Sequence, residues 1–451
     1  MSSSNSGTRF IDALKPYNDA PALIWNDTTF TYANLLEKIA QQRQRLFSIP
    51  EGSIVVLESD FSPQTIALLL VLIERNTIVV PLDKAHHLKN QEKVNIAQPD
   101  YKIWVGDESD ISITSCRQEA QHVLYNEIRQ RRCPGLVLFT SGSSGQPKGA
   151  LHDFSRLLAK FEVKRKALRT VNFLLFDHWG GLNTMFHILS SGGTVVILEN
   201  RLPDHVCSLI EKYKVELLPA SPTFLNMLVM SRAYERHNLQ SLKVISYGAE
   251  PMPENLLAHL NRLFPNVKLQ QTYGLIELGV MRSQSEDNGS LWVKIGGEGY
   301  QTRVVDNMLQ IKSDSAMIGY LNAESPFTED GWFMTGDAVE VKGEYFKILG
   351  RKSELINVGG EKVFPQEVEN IILEDPNVGD VLVYAEDNRL TGKIVCAKVN
   401  YKTDEPRAEI IKRIKTHCRS RLQSFKVPVK IELVNKTFES ERFKKSRING
   451  K

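Results

Sequence analysis

From residue 20 to residue 350 the chain alternates short runs of Val, Ile and Leu with stretches of helical periodicity. Ile54-Val55-Val56-Leu57, Thr77 to Leu82, Thr194 to Leu198, Val215 to Leu218 and Leu242 to Ser246 are short and apolar throughout, the pattern of buried strands. Leu35 to Leu46 and Gln64 to Glu74 read as helices between them. This alternation predicts an α/β fold with largely parallel sheets. From Val293 to Leu349 short strands separated by turn signals predict a β-rich subdomain. Gly350-Arg351-Lys352-Ser353 then punctuates the chain. Beyond it come a proline-started helix (Phe364 to Leu373), strands at Val381 to Tyr384 and Lys393 to Asn400, a basic helix (Ala408 to Leu422) and a strand at Val429 to Val434. These suffice for a small α+β domain. Two units are expected, residues 1–350 and residues 354–451, with a hinge near Ser353.

Length agrees with that division: 451 residues exceed the roughly 250–300 at which a single core stops growing. The apolar run Ile66 to Ile73 ends at Glu74 and Arg75, far short of a membrane span, and the polar opening lacks the apolar centre of a signal peptide. Five cysteines at unpaired spacings suit a reducing compartment and argue against a disulfide frame or a zinc site. A soluble cytoplasmic protein is expected. The net charge of +3 is uneven, because residues 401–451 hold 15 Lys/Arg against 6 Asp/Glu. Those charges interleave with helix and strand patterns and lack aromatic stacking partners, so nucleic acid is not the expected partner. An acidic or phosphorylated partner fits better, beside the plain reading of a solvated face.

Residues 138–149 carry the strongest chemical signal. Leu138-Phe139 leads into Thr140-Ser141-Gly142-Ser143-Ser144-Gly145-Gln146-Pro147-Lys148-Gly149, and a helix-like run, Phe154 to Leu168, leads out. Small residues let backbone N–H groups crowd an oxyanion, four hydroxyls add donors, and Lys148 adds a point charge. The stretch reads as a grip for a triphosphate. It is not the common nucleotide P-loop, since Pro147 stands where the second glycine is required. A flexible polar linker is the bland alternative.

The full string resembles the phosphate loop of the adenylate-forming (ANL) superfamily, which contains acyl- and aryl-coenzyme A ligases, peptide-synthetase adenylation domains and luciferases. That resemblance implies the adenylating-enzyme fold: a large N-terminal α/β domain with a β-rich subdomain, and a small mobile α+β cap. Other motifs resemble the family's in the expected order. Phe30-Thr31-Tyr32 and Val79-Val80-Pro81-Leu82-Asp83 match its early structural motifs. Phe176-Asp177-His178-Trp179-Gly180 falls where the family lines its acid pocket, implying pocket roles for His178, Trp179, Gly248 and Gly279. Asp177 copies, one residue early, the aspartate with which peptide-synthetase domains hold an α-ammonium. Tyr247-Gly248-Ala249-Glu250 resembles the turn against adenine. Tyr273-Gly274-Leu275-Ile276-Glu277 resembles the segment whose tyrosine packs on adenine and whose glutamate holds magnesium, with Ile276 in place of the usual threonine. Asp330-Gly331-Trp332-Phe333-Met334-Thr335-Gly336-Asp337 implies a ribose ligand in Asp337, and Gly350-Arg351 implies a further nucleotide contact in Arg351.

Ser353 stands where the family's hinge is usually Asp or Lys. Gly359-Gly360 resembles the loop lining the thiol tunnel. In the tail, Phe425-Lys426-Val427-Pro428 resembles the acyl-ligase motif, and Lys444 with Arg447 keeps the spacing of the catalytic lysine, although Phe443 replaces glycine. The implied activity is an AMP-forming acid–thiol ligase using ATP, Mg2+ and a small carboxylic acid, with coenzyme A or the phosphopantetheine of an acyl carrier protein as acceptor. Glu277, His178 and Lys444 are the implied catalytic residues. Two other readings stand: an amino-acid-adenylating enzyme, if Asp177 takes an ammonium, and a silent carrier-protein scaffold, given Ile276, Ser353 and Phe443.

Overall fold

The computed structural model describes residues 5–106, 110–116, 122–141, 146–403, 405–435 and 438. The apolar runs become central strands of two seven-stranded sheets. One sheet runs in the order Lys268–Gln271, Val244–Tyr247, Leu217–Ala220, Arg169–Val171, Thr194–Val196, Pro21–Trp25, Thr28–Thr31. Its strands are parallel except for the edge hairpin closing on Thr28–Thr31. The other runs Gly319–Tyr320, Pro147–Asp153, Gly135–Ser141, Ile78–Asp83, Ile54–Ser59, Tyr101–Val105, Ile111–Ser115. The helix Pro63–Glu74 is buried from Pro63 to Ile73 apart from Gln64, and its residues share one core cluster with strands of both sheets. A helix apolar all round has no solvent face to offer, so it sits between layers.

The β-rich expectation beyond Val293 corresponds to a six-stranded antiparallel sheet running from Arg282–Ser285 to Tyr300–Val305, with Phe333–Lys342 and Tyr345–Arg351 at its centre. A smaller sheet follows, built from Ile356–Val358, Glu361–Val363, Val378–Asn388, Gly392–Tyr401 and Lys430–Val434. The helices Pro365–Ile372 and Arg407–Arg421 cover it, and it has its own core of Val363, Val368, Val381, Val399, Ile410 and Ile414. The architecture is a large α/β domain with a β-rich subdomain and a smaller C-terminal domain. No helix among the described residues is long and apolar enough to cross a membrane.

Two readings shift. The strand expected at Val215 to Leu218 runs Leu217–Ala220, because pairing with Val244–Tyr247 sets its register. The helix expected at Phe154 to Leu168 covers only Phe154–Ala159, and follows Pro147–Asp153, a strand antiparallel to Gly135–Ser141. Glu162 to Lys166, all exposed, have no apolar face with which to extend it.

The early motifs prove to be structural joints. Thr31 caps the helix Tyr32–Arg45 in a reciprocal box with Asn34. Tyr32, fully buried, points its hydroxyl at the carbonyls of Gly193 (2.8 Å) and Leu189 (3.1 Å). His152, also fully buried, turns its ring toward the backbone of Ile276 and Ser315 in a geometry short of regular hydrogen bonds. Burial holds its pKa down to about 4.

Two predictions follow from these joints. Tyr32→Phe leaves buried carbonyls without their donor and should lower stability by about 1–2 kcal/mol in urea titration; an unchanged midpoint would contradict the joint. For His152, the unfolded chain takes up a proton near pH 6.5, whereas the folded chain does so only near pH 4. The unfolded state therefore binds more protons in that window, and stability should fall as pH drops from 6.5 toward 4. His187, also held down to about 4 by burial, acts in the same direction. His152→Gln should flatten the slope of stability against pH; an identical slope would refute the assignment.

Candidate active site

The site forms where parallel strands end. Val244–Tyr247 and Lys268–Gln271 are neighbours in one sheet, so the turns after them lie side by side. Thr272 donates to the Tyr247 carbonyl through its backbone N–H (2.7 Å) and its hydroxyl (3.0 Å). A Cβ on Gly248 would stand 2.5 Å from the Thr272 carbonyl oxygen, so only glycine permits this approach. Ala249 next to it adopts φ +71°, a strained conformation for a residue with a side chain. Glu250 turns away and accepts from the Thr223 N–H at 2.7 Å, at the start of the helix Pro222–Ser231. Ligands of open α/β sheets gather at such strand ends.

From this edge a connected polar network extends. Tyr273, almost fully buried, donates its hydroxyl to Asp337 Oδ2 at 2.5 Å. Asp337 stands opposite Arg351 on the antiparallel pair Phe333–Lys342 and Tyr345–Arg351, with Arg351 Nε 3.3 Å from its Oδ1. Burial pushes the Asp337 carboxyl up, opposed by Arg351 and by the Tyr273 hydroxyl. Burial and the neighbouring carboxylate together raise the Tyr273 phenol well above its ordinary value. Four residues beyond Tyr273, Glu277 accepts from the Tyr320 hydroxyl at 2.6 Å, and its carbonyl accepts from the Met317 N–H at 2.7 Å.

Tyr320 connects this network to the phosphate loop. Its short strand pairs with Ala150 and Leu151, and Lys148 Nζ stands 5.5 Å from the Tyr320 ring centroid. Asn322 braces the base of the loop, accepting from the Gly149 N–H at 3.0 Å and donating to the Pro147 carbonyl at 2.8 Å. Thr140 lies across the hairpin from Lys148. Gly142, Ser143, Ser144 and Gly145, the side chain of Ser141, and Lys444 lie outside the described residues. One line of contacts thus runs from Lys148 through Tyr320 to Glu277, and a second from Tyr273 through Asp337 to Arg351. Both start from the segment 273–277, in which Gly274 pairs with Val280 and a Cβ would be crowded at 3.0 Å from the backbone of Gly279 and Val280.

The acid-pocket residues separate by role. His178 caps the helix Trp179–Ser190, its Nδ1 accepting from the Gly180 N–H at 3.0 Å, which puts the proton of the neutral ring on Nε2. Trp179 is buried, and its Nε1 lies 3.3 Å from where a Cβ on Gly279 would stand. Asp177 is engaged by Lys93, Nζ to Oδ2 at 3.3 Å, with both side chains largely buried. A substrate ammonium would have to displace that lysine. Gly359 and Gly360 form an exposed hairpin tip at φ +60° and +95°, their N–H groups donating to the Thr391 carbonyl (2.8 Å) and to Asn357 (2.9 Å), so the structure does not bring this loop to the network. The small domain instead meets the large one through Gly379 and Leu373, whose carbonyls accept from Asn226 (3.2 Å) and Asn255 (2.7 Å). A cavity of about 380 Å³ lies between them, bordered by Glu250, Thr223, Asp380 and Phe438.

Sequence reasoning assigned no role to Lys93, Tyr320, Asn322 or Thr223. For Tyr320, only its partner 43 residues away gives its hydroxyl a purpose.

The description "AMP-binding enzyme" matches residues 89–321, and "AMP-binding enzyme C-terminal domain" matches residues 367–445. The chain is 29% identical over 296 residues to the indoleacetate–CoA ligase of Aromatoleum aromaticum, a match covering 59% of this chain and 57% of that one. It is 28% identical over 331 residues to acyl-CoA synthetase 7 of Caenorhabditis elegans, covering 66% of this chain and 61% of that one. With the 2-succinylbenzoate–CoA ligase of Bacillus licheniformis it shares 26% over 358 residues, 71% and 73% of the two chains. Among solved structures, ATP-bound MatB from Rhodopseudomonas palustris superposes with a TM-score of 0.82 at 19% identity, over 97% of this chain and 96% of that one. An amide bond synthetase from Marinactinospora thermotolerans superposes with a TM-score of 0.78 at 20% identity, over 95% and 96%. The fold, the order of motifs and the matched families agree: the chain belongs to the AMP-binding enzymes of the adenylate-forming superfamily.

Proposed function

We propose that this protein is an AMP-forming acid–thiol ligase, which activates a carboxylic acid as its acyl-adenylate and passes the acyl group to a pantetheine thiol of coenzyme A or an acyl carrier protein. The observation that carries the reading is the pair of contact lines from Lys148 to Glu277 and from Tyr273 to Arg351, which share one short segment. Asp337 spends one acceptor site on Tyr273 and lies beside Arg351, so a carboxylate with about four such sites retains capacity for ribose hydroxyls. Lys148, with Thr140 opposite it in the strand pair, would supply charge and a hydroxyl donor for the outer phosphates. Glu277 offers a hard carboxylate oxygen that suits Mg2+, whose contribution would be neutralising phosphate charge. Lys444 would bridge the substrate carboxylate and the α-phosphate, cancelling repulsion between two anions as they approach.

In the second half-reaction the small domain would turn about Ser353, withdrawing Lys444 and presenting Gly359-Gly360. The open position of that hairpin tip accords with a loop waiting outside the site. Ile276 removes one hydroxyl donor to phosphate, worth roughly 1.5–3 kcal/mol. Slower adenylation is expected from that change, not its loss. The Lys93–Asp177 pair weighs against an amino-acid substrate held through Asp177.

A screen of fatty, aryl and amino acids by pyrophosphate exchange into ATP tests the reading, and at least one acid class should support exchange. Asp337→Ala should reduce exchange by on the order of 100-fold, mainly through nucleotide affinity. Lys444→Ala should depress adenylation far more than thioester formation from supplied acyl-adenylate. Equal loss in both half-reactions would contradict the role given to Lys444, and silence with every acid would contradict the ligase reading.

A further inference from the structure

Behind Trp179 stands a cluster of basic groups with no acid among them. Lys160 follows the helix Phe154–Ala159 and turns its ammonium inward, where Nζ donates to the Val280 carbonyl at 3.0 Å. The same nitrogen lies 5.1 Å from the Phe161 ring centroid and 5.6 Å from that of Trp179. Among the described residues no carboxylate pairs with Lys160, Arg165 or Arg282. The neighbours are of like sign instead. Burial first, and Arg165 second, bring the Lys160 ammonium down to about 7. His187, on the helix that Trp179 begins, is held down by burial and then by Arg165 and Lys160. Arg165 is itself lowered by burial and by Arg282. The two arginines are the exposed outer members of the group, and Lys160 is its inner one.

Proteins seldom leave a desolvated cation without an anion, because charges of one sign repel most strongly where water is excluded. An aromatic face and a carbonyl soften that penalty at Lys160 without cancelling its charge. A second observation points to the same wall. Trp179 is 2% exposed, yet its indole N–H has no acceptor among the described residues. Gly279 packs closely beside that donor: a Cβ on it would stand 3.3 Å from both Trp179 Nε1 and the Leu157 side chain, so no side chain of this residue competes for the N–H. A buried indole donor usually finds a partner. An unmatched donor and an unmatched cation therefore flank one wall, two and three residues beyond Glu277.

Resting on the ligase reading, we infer that the acid activated here carries a second carboxylate at its far end, received by Lys160 as counter-ion and by Trp179 Nε1 as hydrogen-bond donor. The anion would restore full charge to the ammonium and offset its repulsion from Arg165. A plain alkyl end would leave both the ammonium and the indole N–H desolvated and unmatched, so the wall discriminates against simple fatty acids. Sites built to bond a polar group reject analogues lacking it far more sharply than apolar pockets reject an extra methylene.

The test uses the full chain and matched pairs of acids, each a dicarboxylate beside the monocarboxylate of the same skeleton, assayed by pyrophosphate release. The wild type should favour the dicarboxylate in kcat/KM. Lys160→Met keeps the bulk without the charge and should collapse that preference by on the order of 10- to 100-fold, chiefly through KM. Trp179→Phe, which removes the donor together with part of the ring that Lys160 faces, should also reduce it. Thermal melting separates misfolding from lost recognition: Lys160→Met gives up the bond to the Val280 carbonyl along with the unpaired charge, should still melt cooperatively, and should lose the upward shift that dicarboxylates give the wild type. A wild type that activates monocarboxylates and ignores their dicarboxylate partners would overturn the inference while leaving the ligase intact, as would a preference that survives in Lys160→Met. Silence with every acid would overturn the ligase reading and this inference together.

Discussion

Two tyrosine hydroxyls, each donating to a carboxylate, hold the candidate site together: Tyr273 on Asp337 and Tyr320 on Glu277. The four side chains come from separate places in the fold. Tyr273 and Glu277 follow the last strand of a parallel sheet, Asp337 lies in the antiparallel subdomain, and Tyr320 lies on the edge of the second seven-stranded sheet. A short hydrogen bond to a charged oxygen is stronger than one between neutral groups and demands tighter geometry. Each pair therefore fixes the position of one layer against another, and each carboxylate keeps lone pairs toward the site.

The layers dictate where such a network can form. Parallel strands with helices on their faces leave their chain ends as the place where backbone is exposed and loops meet. Glycine at 248 allows two of those ends to touch, and Ala249 accepts a strained conformation beside it. On the second sheet, Lys148 pairs with Thr140, and Asn322 braces the residues on either side of it at Pro147 and Gly149, so the lysine is carried by a paired strand. Positions set by strands vary less than positions set by free loops, which suits a site meant to hold a charged nucleotide in register.

How legible this was from the sequence depended on whether the determinant was local. Ile54 to Leu57 and Gln64 to Glu74 announced a strand and a helix through composition alone, and the structure places both where expected. The helix-like run from Phe154 to Leu168 begins where expected but ends at Ala159, because the exposed residues beyond it offer no apolar face to bury. Glycines and tyrosines in motifs marked the site because their chemistry is needed at fixed spacing. Partners distant in sequence could not be read. Asp177 looked like a ligand for an ammonium, and the ammonium it meets belongs to Lys93, 84 residues earlier. The unmatched charge of Lys160 was equally invisible, since its meaning lies in the absence of an acid in three dimensions.

The central claim is that Lys148 and Asp337 grip opposite ends of one nucleotide. The most direct measurement is a crystal structure of the full chain with a hydrolysis-resistant ATP analogue. The account predicts the adenine against residues 247–250, the ribose hydroxyls on the Asp337 carboxylate and the outer phosphates within reach of Lys148 Nζ. A nucleotide bound with its ribose away from Asp337, or with Lys148 out of reach of any phosphate, would contradict it.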